Sequence, residues 1–307
     1  MPNKHLEHPE DAIFDGRRSA VGAIRQMLAA KWNISVKYDG APAIVFGTNP
    51  DNGRFFVGTK SVFNKKKVLI NYTQEDIDKN HKGNVADILR LCLRYLPRIK
   101  GIVQADWIGV GGGRVYKPNT LEYRFPDYID QDIIVAPHTC YDRVSPDAKA
   151  KLGVKLQSTD ECYFINTNDA YVTRWNSAAA LKAFAQIPFA KIPTSKKSCD
   201  YLRKYINGYV RSGYIPCASV LYNSMPDKYK EEVNVTTFKV WQTIFQLKMR
   251  FLESISVGGN IQCFINGQST GHEGFVILSD NPYKIVDRLT FSNANFNLDK
   301  NWTNEKV

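Results

Sequence analysis

The sequence predicts an α+β fold in which a helical stretch interrupts strand-forming sequence. Three observations carry that expectation. Residues 34–60 and 101–136 hold short apolar or alternating runs that read as strands. From about 165 to 256, apolar residues recur at helical spacing instead. Strand texture then returns at 261–265, 271–278 and 283–288. No internal repeat or low-complexity linker sets these parts off, so the helical stretch reads as inserted rather than tethered. The expected division is 1–164 with 257–307 as one domain and 165–256 as the insert. A length of 307 residues suits one large domain or two smaller ones.

Taken in order, Val21, Ile24 and Leu28 fall at helical spacing within 18–31, so an amphipathic helix precedes the first strand. In I-S-V-K-Y-D-G-A-P-A-I-V-F-G at 34–47, Ile34 and Val36 end one strand and Ala43 to Phe46 begin the next. Asp39-Gly40 between them reads as a hairpin turn where exposed backbone can approach a phosphate. Lys37 then stands at a strand edge, its amine aimed into whatever the turn encloses. A lysine so placed, with carboxylates and cations near, can lose its proton and act as a nucleophile. A solvated surface lysine is the plainer alternative, and K-x-D-G alone is a weak signal. Residues 54–60 read as another strand, and Lys65-Lys66-Lys67 as a solvated charged face. Val85, Ile88, Leu89, Cys92 and Leu96 mark a second amphipathic helix, stopped by Pro97.

Residues 101–110, G-I-V-Q-A-D-W-I-G-V, read as a buried strand holding one carboxylate, Asp106. An acid among Ile102, Val103, Trp107 and Ile108 is costly unless a metal, a ribose hydroxyl or a lysine pairs with it. The alternative is that Asp106 alternates to the solvent face. Gly111-Gly112-Gly113 resembles a phosphate cradle by composition only, since no G-K-S or G-K-T follows, and it reads as a loop. Residues 132–136 form a short strand, with His138 and Tyr141 just beyond it. Within the helical stretch, Tyr201, Leu202, Tyr205, Ile206 and Tyr209 form one stripe, and Phe238, Trp241, Phe245, Met249 and Leu252 another. Both read as core. Glu273 stands between a turn and the run Phe275–Leu278, and Lys284 begins the next alternation.

Charge points outward from the fold to partners. The chain has 41 Lys and Arg against 30 Asp and Glu, a net +11 that favours polyanions. Residues 165–256 carry much of it, with 13 Lys and Arg against 6 Asp and Glu. The six cysteines are scattered without a C-x-x-C, which suggests neither a zinc site nor a disulfide framework. The N-terminal residues lack the apolar core of a signal peptide, and no apolar run reaches membrane-spanning length. The expectation is a cytoplasmic protein with no membrane partner; oligomeric state is not legible.

The ordered set of lysine, acids and second lysine resembles the covalent nucleotidyltransferase superfamily of ATP-dependent DNA ligases, RNA ligases and mRNA-capping enzymes. K-Y-D-G at 37–40 looks like its first motif, and T-K-S at 59–61 is similar to a downstream phosphate-contacting element. Q-A-D-W at 104–107 looks like the third motif, H-E-G-F-V-I at 272–277 like the fourth and Y-K-I-V at 283–286 like the fifth. The resemblance spans residues 34 to 288 and is closest to phage-type RNA ligases. It implies a ligase fold (ATP-grasp-like) of packed antiparallel sheets with flanking helices. Three departures stand out: Pro42 replaces an arginine common in relatives, Asp106 replaces the usual glutamate, and Val286 falls where a second lysine is expected. The chain ends soon after Arg288, so no oligonucleotide-binding domain is expected there, and the basic insert is the expected clamp on nucleic acid.

What the resemblance implies is an ATP-dependent polynucleotide ligase, with RNA ahead of DNA as substrate. Lys37 would take AMP from ATP, helped by Asp39 and Lys284. Val36, Gly40 and Lys60 would line the nucleotide site, and His138 or Tyr141 would stack on adenine. Glu273 and Asp106 would hold Mg2+, or Mn2+ in its place, and this metal and Lys284 would lower the pKa of the Lys37 amine. In a phage-encoded protein the setting would be the host cytoplasm. Two other readings remain open at this stage: AMP transfer to a protein or small molecule, and a basic nucleic-acid-binding protein without catalysis.

Overall fold

A computed structural model of the chain describes residues 6–291. It is a mixed α and β structure with several antiparallel sheets. The described residues form two compact units, one of Lys31–Val172 with Ser256–Pro282 and one of Glu7–Ala30, Thr173–Ile255 and 283–291. The sequence places 165–256 apart from both flanks. The structure instead joins residues 173–255 to residues 7–30 and 283–291.

The first α-helix, α1 (Arg17–Ala29), buries Ala20, Ala23, Ile24 and Met27. Leu28, read from the sequence as part of the apolar face, is 40% exposed. The 20/23/24/27 spacing is a better helical stripe than 21/24/28, and small alanines made it hard to see.

In the first unit, strands β1 (Ile34–Lys37), β2 (Ala43–Thr48) and β3 (Phe55–Gly58) are followed by helices α2 (Gln74–Asn80) and α3 (Gly83–Tyr95). Strands β4 (Ile102–Val110), β5 (Gly113–Tyr116), β6 (Glu122–Ile129) and β7 (Ile133–Tyr141) come next, then short β8 (Ala150–Leu152), β9 (Cys162–Phe164) and β10 (Ala170–Val172). After β11 (Ile255–Val257), the strands β12 (Gln262–Ile265), β13 (Gln268–Thr270) and β14 (Gly274–Ile277) complete it. The largest sheet runs β3-β2-β4-β7-β8, with β9 parallel to β7; a second runs β13-β12-β6-β5.

Alternation puts the two faces of the large sheet in different environments. Ile44, Phe46, Val103, Ala105 and Trp107 face Ala86, Ile88, Leu89 and Cys92 of α3. Val45, Phe56 and Ile102 turn the other way, toward Val62, Phe63 and Tyr141. Helix α2 begins with a Thr73–Asp76 capping box, and α3 ends just ahead of Pro97.

Two strand readings change. The sequence joins 34–37 and 43–46 in one hairpin, but β1 pairs antiparallel with β14 while β2 pairs with β3 and β4. The segment between them is no tight two-residue turn. It lies along β4, with Ala41 N donating to Trp107 O and Trp107 N to Pro42 O. The sequence also stops a strand at 136, before Pro137. In the structure β7 continues to Tyr141 because the register with β4 shifts there, Ala105 facing Pro137 and Gln104 facing Thr139. His138 is thus the extra residue of a bulge, which accommodates a proline that cannot donate to the ladder.

The second unit holds α4 (Ala178–Gln186), α5 (Lys196–Arg211), α6 (Ala218–Asn223), α7 (Asp227–Lys230), α8 (Val235–Glu253) and strand β15 (Lys284–Val286). Helix α8 is its core: Phe238, Val240, Trp241, Ile244, Leu247 and Phe251 are all buried. A buried charge cluster joins three distant segments of the chain. Glu10 Oε1 accepts from Lys248 Nζ at 2.8 Å and from Arg288 NH1 at 2.9 Å. Asp11 accepts from Trp241 Nε1 at 2.7 Å and from Arg288. Arg203, half-buried, bonds within this unit to Asp15 at 2.5 Å. Two cations of the basic stretch are therefore committed to folding rather than to a partner.

Candidate active site

Lys37 ends β1, opposite Gly274 on β14. That register sets Glu273 beside it, and the Lys37 ammonium donates to Glu273 Oε2. Asp39 follows in the segment that crosses to β2, and its carboxylate accepts from Asn119 Nδ2 at 2.8 Å, Thr120 N at 2.9 Å and Leu121 N at 3.0 Å. Its own N–H donates to Tyr123 OH at 2.6 Å. Asp39 is thus an anchor for the lysine-bearing segment, with its acceptor capacity directed at residues 119–121. Gly40 packs flat on β4: a Cβ there would stand 2.6 Å from both Asp106 Cβ and Trp107 O. Val36 is buried and donates its N–H to Thr167 O at 2.7 Å.

Asp106 faces Ala43 across β4 and β2. Asp106 is half-buried, its side chain 19% exposed, and burial pushes its pKa up to about 7, opposed by Lys37 and Lys60. The acids act back on Lys37. Burial would favour the neutral amine, but Glu273, Asp106 and Asp39 outweigh it and hold the proton in place. The sequence reading expected nearby cations to lower that pKa; the immediate surroundings are acidic instead. Lys60 follows β3 and is exposed, within electrostatic reach of Asp106 and His138.

His138, re-aimed by the bulge, bonds Thr139 Oγ1 through Nδ1 at 2.7 Å and sets Nε2 3.8 Å from Asp106 Oδ2. Burial, then Lys60 and Lys37, push its pKa down to about 3, so it is neutral. Tyr141 is core: its ring lies 4.5 Å from Phe63 and its hydroxyl donates to Gln104 Oε1 at 2.8 Å. Of the pair named for adenine stacking, His138 is the one beside Asp106. Lys284 begins β15 in the second unit, its N–H donating to Glu7 O.

Sequence reasoning missed Asn119, Tyr123 and Gln104 as supports, and His272 as packing. His272, in the quoted H-E-G-F run, lies edge-on to Tyr38 at 5.5 Å, and burial pushes its pKa down to about 4. The Gly111–Gly113 loop offers no phosphate cradle at its start: Gly111 N bonds Asp132 O and Gly112 N bonds Ile129 O.

A family model matches residues 3–300. The chain belongs to that family, DUF6267, a family of unknown function. Neither curated proteins nor solved structures give a match. In this DUF6267 chain the site unites a lysine and a carboxylate 236 residues apart, with a second carboxylate near both. Among the described residues no three His, Cys, Asp or Glu side chains gather as a metal-holding group. Two carboxylates alone suit an ion that takes its other oxygens from water and substrate phosphates, as Mg2+ does. Among them too, no helix is long and apolar enough to cross a membrane.

Proposed function

We propose that this protein is an ATP-dependent polynucleotide ligase, acting on RNA ahead of DNA, on a nucleotidyltransferase-type fold. One observation carries the reading. The lysine, the acid of the 104–107 motif and the acid of the 272–277 motif converge, although they are far apart in sequence. In the reaction, Lys37 Nζ loses its proton to solvent and attacks the α-phosphorus of ATP, forming an N–P bond as the bond to pyrophosphate breaks. AMP then passes to a polynucleotide 5′-phosphate, and a 3′-hydroxyl displaces it to seal the strand. Mg2+, or Mn2+, held by Glu273 and Asp106 would offset their field on Lys37 and stabilise charge on the transferring phosphoryl group. Asp39 and Gly40 fix the backbone that carries the nucleophile. Lys60 supplies a cation where Pro42 has removed one, and Lys284 the charge of the fifth motif.

Incubation with each α-labelled nucleoside triphosphate and Mg2+, followed by denaturing separation, tests this. One AMP should map to Lys37, and Lys37→Ala should take none. Glu273→Ala should lose metal-dependent labelling, and Lys284→Ala should slow it by at least about 10²-fold. Label on another residue, or normal labelling of all three variants, removes the assignment. Labelling without sealing of any 5′-phosphorylated oligonucleotide would assign AMP transfer to a different acceptor.

A further inference from the structure

Helix α5 presents a surface that ligase chemistry at Lys37 does not use. Tyr201, Tyr205 and Tyr209 recur every four residues as one half-buried stripe. Their rings continue an array: Tyr229 to Tyr201 at 3.7 Å and stacked, Tyr201 to Tyr205 at 5.9 Å, Tyr205 to Tyr209 at 5.3 Å, Tyr209 to Tyr214 at 5.7 Å. Tyr205 OH donates to Leu221 O at 2.9 Å, which fixes the middle of the array, and Tyr214 is 54% exposed.

Beside this stripe, positions 197, 201, 204, 208 and 211 follow one another at four- and three-residue spacing, so Lys197, Lys204, Gly208 and Arg211 share a row. Lys197 and Lys204 are exposed and, among the described residues, form no ion pair. Lys228 Nζ lies 5.0 Å over the Tyr229 ring. Of the neighbouring acids, Asp227 pairs with Lys230 at 2.8 Å and Glu232 accepts from Thr194 N and Ser198 Oγ at the start of the helix, while Asp200, exposed on α5, lies 4.0 Å from Arg203.

Gly208 adds an independent point. Glycine inside a helix is destabilising relative to alanine. A Cβ there would meet nothing within 4 Å, so packing does not demand its absence. What the missing side chain leaves is open approach to the helix between Lys204 and Arg211.

We infer that this face of α5 binds single-stranded polynucleotide, the cations on its phosphates and the outer tyrosine rings against its bases. The choice of polynucleotide rests on the ligase reading. The row from 197 to 211 is about 21 Å long at helical rise, the reach of several nucleotides. An acidic peptide would use the lysines but leave the tyrosine array and Gly208 without purpose. Cations on phosphates and rings on bases are how single strands are held without sequence readout.

The test is binding of a labelled short oligouridylate to the full chain, by anisotropy across a salt series. Lys197→Gln with Lys204→Gln should weaken binding and flatten the slope of log K against log salt by about 1.4, two phosphate contacts on a single strand. Tyr214→Ala should weaken it roughly 5- to 150-fold, the range for one stacked base. Gly208→Ala should raise Tm and yet weaken binding, an opposition that a misfolded variant would not give. Parent-like affinity and slope in all three variants would overturn the inference, as would polyglutamate competing as well as oligouridylate. The two readings fail separately. Labelled Lys37 without these binding losses sinks only the α5 surface, and the losses without a labelled lysine sink only the ligase.

Discussion

The Asp39 carboxylate faces two backbone N–H groups and one side-chain amide, so its removal strands buried donors. Asp39→Ala should therefore cost roughly 2–5 kcal/mol of stability, measured by urea unfolding, whatever becomes of activity. A loss under about 0.5 kcal/mol would show that those bonds contribute little. Gly40→Ala should be worse for function than its size suggests, because a Cβ must displace Asp106 or the Trp107 carbonyl. Its expected signature is lost labelling of Lys37, and normal labelling would contradict the close approach. Lys37, Asp39 and Glu273 each lie in a short motif visible in the sequence, but the hairpin expected at Asp39-Gly40 does not form and the pairing of Lys37 with Glu273, 236 residues apart, has no local signal. The donors from 119–121 were not legible, because partners 80 to 82 residues away leave no local pattern.

Elements were legible where one periodicity ran unbroken, as in β4, α3 and α5. They were misread where one residue contradicted the pattern locally and the tertiary structure absorbed it. Pro137 hid the rest of β7 because the bulge at His138 cannot be read from one strand alone. Asp39-Gly40 suggested a hairpin because turn chemistry says where a chain bends and not which strand it next joins. Helix α8 was found, but its buried face is wider than the stripe read from sequence and includes Lys248, at 0% exposure. Lys248→Met should destabilise the helical unit by roughly 3–5 kcal/mol, since a charge partner is removed from a dry site. Adding Glu10→Gln to that variant should cost less than it costs the parent, because the Lys248 half of Glu10's pairing is already gone while Arg288 remains. Strictly additive losses in denaturant titrations would show that the two groups do not act on each other.

At the scale of the whole chain, the Glu10–Arg288 contact joins residues 278 apart and draws both outer segments into the helical unit. Composition showed the +11 charge but not that Lys248 and Arg288 are buried against acids at 10 and 11, nor that Arg203 pairs with Asp15. That arrangement ties stability to pH. Burial acts to raise the Glu10 carboxyl, but Lys248 and Arg288 outweigh it and hold its pKa below the ordinary 4.5. Facing the same cluster, Lys248 is itself pushed down by burial, against the pull of Glu10. For a carboxyl lowered on folding, the unfolded chain binds the proton first as pH drops. The stability that Glu10 confers is therefore fully present above 4.5 and is lost as pH falls through the lower folded value. Glu10→Gln should consequently be less stable than the parent by a constant margin at neutral pH, and the margin should shrink below 4.5. Urea unfolding of both proteins across that range measures it. A margin that stays constant into strong acid, or widens, would show that Glu10 is not held ionised by the two cations.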